Sequence, residues 1–370
     1  MKQKTVFVIL SWLFAAAFSL GQALAQAPAA EPANSCIPTA EQAAQVFRGR
    51  ALGAAGQAQQ GRGSEAQPAP RKLTIAAIPG VVAAGGQWTK VWQEGGNSAD
   101  GIIPDKDGSV LVAQEDYDTV LKIDANGKAS VAVADAKGVG ALSMDRQGHL
   151  YGAHRTERPG STKPDKESIV NAITMLTPER VTLADKWADG TTLTVRPNDL
   201  AADSYGGAYF TTRCLYYASP KGVTVMADNI RTNGIAFSPD DKILYVTNGG
   251  ALVAFDVEGP GMLTNRRDFA MLSAGSNGDG TAVDSNGRLY VSSGPGVQVI
   301  DKTGKYLGLI PTPRDVISVA FAGPDKRTLY IVGSGADDEN GQPIRQGPQQ
   351  TAATIYKLAV IAQGLKGRAK

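Results

Sequence analysis

From residue 72 to about residue 360 the chain is written in short apolar runs broken by Gly, Asp, Asn and Pro. No long stretch repeats apolar residues every 3.6 positions, so helices are not expected there. One pattern recurs six times: a short apolar strand, an Asp/Gly turn, then a strand of the Leu-Tyr-Val type. It reads ADGIIPDKDGSVLVA at 99–113, GALSMDRQGHLYGAH at 140–154, NDLAADSYGGAYFTT at 198–212, NGIAFSPDDKILYVTN at 233–248, DGTAVDSNGRLYVSS at 279–293 and ISVAFAGPDKRTLYIV at 317–332. A third strand follows each unit, among them TVLKID, ITMLTP, LYYASP and LVAFDV. A repeat of roughly 40 residues built from three or more strands is the period of a propeller blade. The spacing therefore predicts an all-β, six-bladed β-propeller over 72–362, in preference to an irregular β-sandwich with look-alike turns. Either KLTIAAI from Lys72 or WTKVWQ from Trp88 is placed to supply the outermost strand of the last blade and cover its edge.

The N-terminal fifth differs. Lys2 and Lys4 precede an apolar run from Val6 to Leu20, and Ala23-Leu24-Ala25 offers small residues at a cleavage site. Residues 1–25 read as a signal peptide cut after Ala25, which predicts a periplasmic or secreted protein. Residues 26–71, rich in Ala, Gln, Pro and Gly, read as a linker with a short helix over Thr39 to Phe47, and 363–370 as a C-terminal tail. In an oxidising compartment Cys36 and Cys214 are allowed to pair, and the sequence leaves this open. The formal net charge of +2 offers no basic field for nucleic acid. Beyond the signal peptide no apolar run is long enough for a membrane span, and nothing demands more than a monomer.

Aligning the units on their turns exposes the candidate chemistry. Asp100, Asn198 and Asp279 each stand five residues before a turn Asp and eight before a turn Gly, and Asn233 stands five before Ser238. Units two and six carry Gly140 and Ile317 there. That position heads the innermost strand of each blade, so Asp100, Asn198, Asn233 and Asp279 should converge at one mouth of the central channel. Side-chain oxygens gathered out of water need a partner. All-oxygen ligation suits a divalent metal, Ca2+ first, with Mg2+, Mn2+ or Zn2+ behind it. The turn-forming habit of Asp and Asn accounts for any one of these residues, though less well for four in register. Second strands should bring Glu115, His154, Arg155, Thr212, Arg213, Asn248, Ser292 and Ser293 to an outer ring, with His154 a candidate substrate contact or base. His149 falls in a turn. Arg196 lies two residues before Asn198 and is placed either to bind a substrate or to pair with Asp199.

RPNDLAAD at 196–203, NGIAFSPDDKILYVTN at 233–248 and GDGTAVDSNGRLYVSS at 278–293 resemble the senescence marker protein/gluconolactonase/luciferin-regenerating enzyme family, over about residues 90 to 360. The resemblance implies a six-bladed propeller with one divalent cation at the channel mouth. It implies Asn233 and Asp279 as metal ligands, and Arg196 and Asn198 as a substrate-side Arg-x-Asn pair. The family's first ligand is a Glu in Glu-Gly-Pro; here the aligned stretch is Asp100-Gly101-Ile102, with Glu94 as a second candidate. A small-molecule lactone or ester is then the expected substrate, with Asp279 taking the proton of an attacking water. No Gly-x-Ser-x-Gly elbow and no dinucleotide fingerprint compete. Two other readings remain: a binding propeller that keeps its metal for structure only, and a quinone-dependent sugar dehydrogenase, disfavoured by the shortage of His.

Overall fold

The computed structural model describes residues 36–38, 70–96, 101–157, 161–273, 276–348 and 350–367. The expected signal peptide, the helix over Thr39 to Phe47 and Asp100 lie outside them. Apart from two short 3-10 turns, the regular elements of the described residues are β-strands. Four antiparallel four-stranded meanders follow in chain order, over 102–133, 139–184, 200–227 and 235–271. The last sheet has six strands, in spatial order Thr281–Val283, Leu289–Ile300, Tyr306–Ala322, Thr328–Ser334, Ala352–Ala359 and Thr89–Gly95.

The fold is thus all-β and propeller-like, but the described residues form five sheets where the repeat predicts six blades. Strand Tyr306–Ala322 is the reason. Its first part pairs with Leu289–Ile300, through Val297 opposite Ile310. Its second part pairs with Thr328–Ser334, through Ala320 opposite Tyr330. The chain stays extended through Thr312–Asp315, so the fifth and sixth sequence units share one continuous sheet. The innermost strands are nevertheless six. Ile102–Pro104 lies against Val139–Met144, followed in turn by Leu200–Ala202, Ile235–Phe237, Thr281–Val283 and Tyr306–Ala322, which returns to Ile102–Pro104. Of the two candidate closing strands, Thr89–Gly95 takes the outer edge, antiparallel to Ala352–Ala359. The expected C-terminal tail is in part packed: Gly364 bridges to Asp284 and Leu365 sits against a core cluster.

Local chemistry explains the repeat. Asp203 Oδ1 accepts from the amides of Tyr205 and Gly207, both at 2.8 Å, and Gly206 between them takes φ +86°. Asp284 does the same for Asn286 and Arg288, with Gly287 at φ +78°. A side-chain acceptor that mimics the backbone, followed by a residue free to take positive φ, makes a tight turn between strands. The other oxygen of each carboxylate is buried but satisfied, by Tyr217 Oη at 2.6 Å and by Tyr290 Oη at 2.9 Å. Apolar clusters fill the gaps between neighbouring sheets, for example Val110, Val112, Ile123, Tyr330, Val332 and Ile355 between the last sheet and the first. The cysteines are joined, Cys36 to Cys214, with Cα atoms 5.8 Å apart. Tyr216 Oη donates to the Cys36 carbonyl at 2.9 Å, so this piece of the linker is part of the third sheet's core.

Candidate active site at the ring mouth

The heads of the inner strands meet, as their common direction requires. Gly101 N donates to Gly140 O at 2.9 Å, and Gly280 N to Ile317 O at 3.0 Å. Asn198 Nδ2 donates to Asn233 Oδ1 at 2.5 Å. A Cβ on Gly234 would stand 1.9 Å from the Asp279 carbonyl oxygen, so only glycine lets those two heads approach. Asn198, Asn233 and Asp279 each stand two residues ahead of one of three consecutive inner strands, and each is half-buried. The Asn233 amide N–H is anchored on Thr247 Oγ1 at 2.9 Å, and the Asn233 carbonyl accepts from Thr211 Oγ1. Asp279 is held by its own N–H on Ser292 O at 2.8 Å.

Beside these heads lies an ionic clamp. Glu115 opens a short 3-10 turn, Glu115–Tyr117, at the end of strand Val110–Gln114, and its carboxylate is 1% exposed. It accepts from Arg155 Nη1 at 3.0 Å and from Arg196 Nη2. Arg196 Nε donates to Thr156 O at 2.8 Å, and Arg155 Nη2 donates to Asn198 O. One carboxylate thus fixes two guanidinium forks, a geometry that suits Arg and not Lys. Arg196 keeps 11% side-chain exposure. Lys163, from the long connection between 155 and 196, reaches Glu115 O at 2.7 Å and Asp118 Oδ1 at 2.5 Å. Glu157, its side chain also buried, stands 3.5 Å from the Lys163 ammonium and is matched by charge rather than by a hydrogen bond.

The expected residues divide. Asn198 and Asn233 touch through their side-chain amides, the Asp279 main chain lies against Gly234, and Arg196 is linked to the Asn198 carbonyl through Glu115 and Arg155. Arg196 pairs with Glu115, while Asp199 turns inward to the amides of Leu200 at 2.9 Å and Ile235 at 3.3 Å. Glu94 lies on the outer strand Thr89–Gly95, bound to Gln114 Nε2 at 2.5 Å, and is not at a strand head. Burial raises its pKa above 4.5, outweighing that hydrogen bond. His154 departs from the expectation of a mouth contact. Its Nδ1 pairs with Lys137 O at 2.6 Å, and burial lowers its pKa below 6.5. The next residue, Arg155, instead reaches Glu115 and the Asn198 carbonyl. Thr211, Thr247 and Lys163 carry no motif that would have marked them; only the second-strand register does so for the two threonines.

The residues expected to hold a metal carry oxygen donors, the kind a hard cation takes. Among the described residues no group of three or more His, Cys, Asp or Glu is assembled for a metal. The mouth instead offers amide and carboxylate oxygens from adjacent strands. An amide that donates through its nitrogen, as Asn198 does, retains its oxygen as an acceptor, and such ligands suit Ca2+ or Mg2+.

Comparison with known proteins agrees with this architecture. The SMP-30/gluconolactonase/LRE-like region family matches residues 129–335, and the chain belongs to that family. Lactonohydrolase oryH of Aspergillus oryzae is 31% identical over 141 residues, covering 31% of this chain and 30% of that protein. The gluconolactonase of Zymomonas mobilis is 29% identical over 170 residues, covering 37% of this chain and 48% of that protein. The chain thus spans 30% and 48% of the length of these two curated relatives. A solved gluconolactonase from Xanthomonas campestris superposes with a TM-score of 0.61 at 24% identity, covering 80% of this chain and 98% of that one, which speaks for the fold.

Proposed function

We propose that this chain is an exported, metal-dependent lactonase of the gluconolactonase type, working at the mouth of a ring best counted as six blades. The observation that carries the reading is the contact of the Asn198 and Asn233 amides ahead of adjacent inner strands, with the Asp279 main chain against Gly234 and Arg196 clamped to Glu115. The six inner strands support the blade count, the last two blades sharing one sheet. The apolar N-terminal run supports export, and the names of curated relatives support a lactone substrate.

Asn198, Asn233, Asp279 and Asp100 would hold the cation, with Ca2+ the first choice for an all-oxygen set. A divalent cation so held supplies Lewis acidity toward an ester carbonyl. The Arg196 guanidinium and the Asn198 amide orient the lactone. Asp279 accepts a proton from the attacking water and returns it to the ring oxygen as the acyl C–O bond breaks, leaving the open hydroxy acid. The buried clamp keeps Arg196 in place without reorganisation during the reaction.

The test is hydrolysis of aldonolactones by the mature protein after chelation and after return of Ca2+, Mg2+, Mn2+ or Zn2+, beside Asp279→Ala. Expected is metal-restored turnover, with a metal-specific rise in melting temperature that Asp279→Ala abolishes. A metal-dependent rise without turnover on any lactone would favour the binding-only propeller.

A further inference from the structure

The strand heads around the mouth are not all held in the same way. The Asn233 carbonyl accepts from Thr211 Oγ1, and the Ile317 carbonyl accepts from Ser292 Oγ at 2.7 Å. Thr211 and Ser292 each stand eight residues after their turn Asp, at Asp203 and Asp284. In each case a second-strand hydroxyl holds the next strand head in the ring. The equivalent residue of the second unit, eight after Asp145, is Ala153, which has no hydroxyl to give. The head that needs holding there is Asn198, and its carbonyl accepts instead from Arg155 Nη2.

Arg155 also fills a gap. A Cβ on Gly140 would stand 2.4 Å from Arg155 Cζ and Nη1 and 2.5 Å from Nε. Gly140 is the position at which four other units carry Asp or Asn. The second unit therefore gives up its own head side chain and lets a guanidinium occupy the space. The same guanidinium, on a side chain 2% exposed, meets Glu115, which in turn holds Arg196. A planar fork can bind two acceptors in fixed directions at once; a hydroxyl cannot.

We propose that Arg155 is a positioning residue of the site: it holds the Asn198 main chain in place of the missing hydroxyl and, through Glu115, sets the Arg196 guanidinium. The proposal rests on the lactonase reading, in which Asn198 and Arg196 are the substrate contacts. It assigns Arg155 no contact with substrate.

Two measurements on the full chain test it. In the first, kcat and KM are compared for wild type, Arg155→Met and Arg155→Lys on the lactone that wild type hydrolyses best. Displacing substrate contacts by about 1 Å costs on the order of 100-fold in rate. Arg155→Met is therefore expected to lower kcat/KM by about 10- to 100-fold in the folded protein, with Arg155→Lys in between because charge survives and the fork does not. A purely structural role would lower melting temperature and leave kcat/KM of the folded protein unchanged; kcat/KM of Arg155→Met within about twofold of wild type overturns the proposal. In the second, melting is read for Gly140→Asn, Arg155→Ala and the double variant. The double is expected to lose less than the two singles summed, because the vacated space accepts the new side chain. Additive losses overturn the proposal as well. A wild type inert toward every lactone would sink the lactonase reading, and the melting cycle would still decide whether Arg155 fills the Gly140 gap.

Discussion

Glu115→Gln is the substitution with the sharpest consequence. Gln matches Glu in shape, so packing hardly changes and the charge alone is removed. Glu115 is 1% exposed, the Arg155 side chain 2% and the Arg196 side chain 11%. Without the carboxylate, two guanidiniums face each other out of water. The amide offers one acceptor where two forks need two, and its NH2 points a donor at a donor. Removing one partner of a buried pair costs about 3–5 kcal/mol, chiefly because the remaining charge is stranded. At about 2–4 °C per kcal/mol for a domain of this size, the melting temperature should fall by about 10 °C. The assay is equilibrium urea unfolding of the oxidised protein at neutral pH, followed by circular dichroism, with a thermal scan beside it. A loss of about 1 kcal/mol or less is the range of exposed ion pairs. Such a result would refute the claim that the clamp is desolvated.

Two further outcomes are expected. Replacing both Cys36 and Cys214 by Ser opens a link across 178 residues and should lower unfolding stability by about 2–5 kcal/mol; guanidinium unfolding curves that superpose on wild type would contradict this. His154 has a depressed pKa in the folded state because its imidazole is buried, so the unfolded chain binds the extra proton first. Its contribution to stability is complete above the ordinary value of 6.5 and is lost as pH falls through the depressed value. Melting temperature should drop between pH 7 and pH 5, and His154→Gln should flatten the slope; an unchanged slope would count against a buried neutral His154.

Much of the molecule was legible from residues that act on their own neighbourhood. The Asp-x-x-Gly turns of the first, second, third and fifth units and the strands flanking them follow from an Asx acceptor and a glycine at positive φ, interactions confined to five or six residues. The alignment of the units on their turns put Asn198, Asn233 and Asp279 at equivalent positions, each two residues ahead of a strand. What the sequence could not settle are contacts between units some 40 or more residues apart. Arg196 had Asp199 close by in the chain, yet it pairs with Glu115, 81 residues away, because the ring sets the first and third units on either side of Arg155. The fusion of the last two units depends on residues 312–315 staying extended, in a stretch that contains a proline, Pro313, and would ordinarily be read as a break. His154 and Arg155 are adjacent and both polar; only the packed sheets decide that the histidine meets the Lys137 carbonyl and the arginine meets Glu115 and the Asn198 carbonyl. Local hydrogen bonds determined the elements and their register, whereas the choice of partners for buried charges was made by the closed ring, where each charge must be matched by whatever group the neighbouring unit presents.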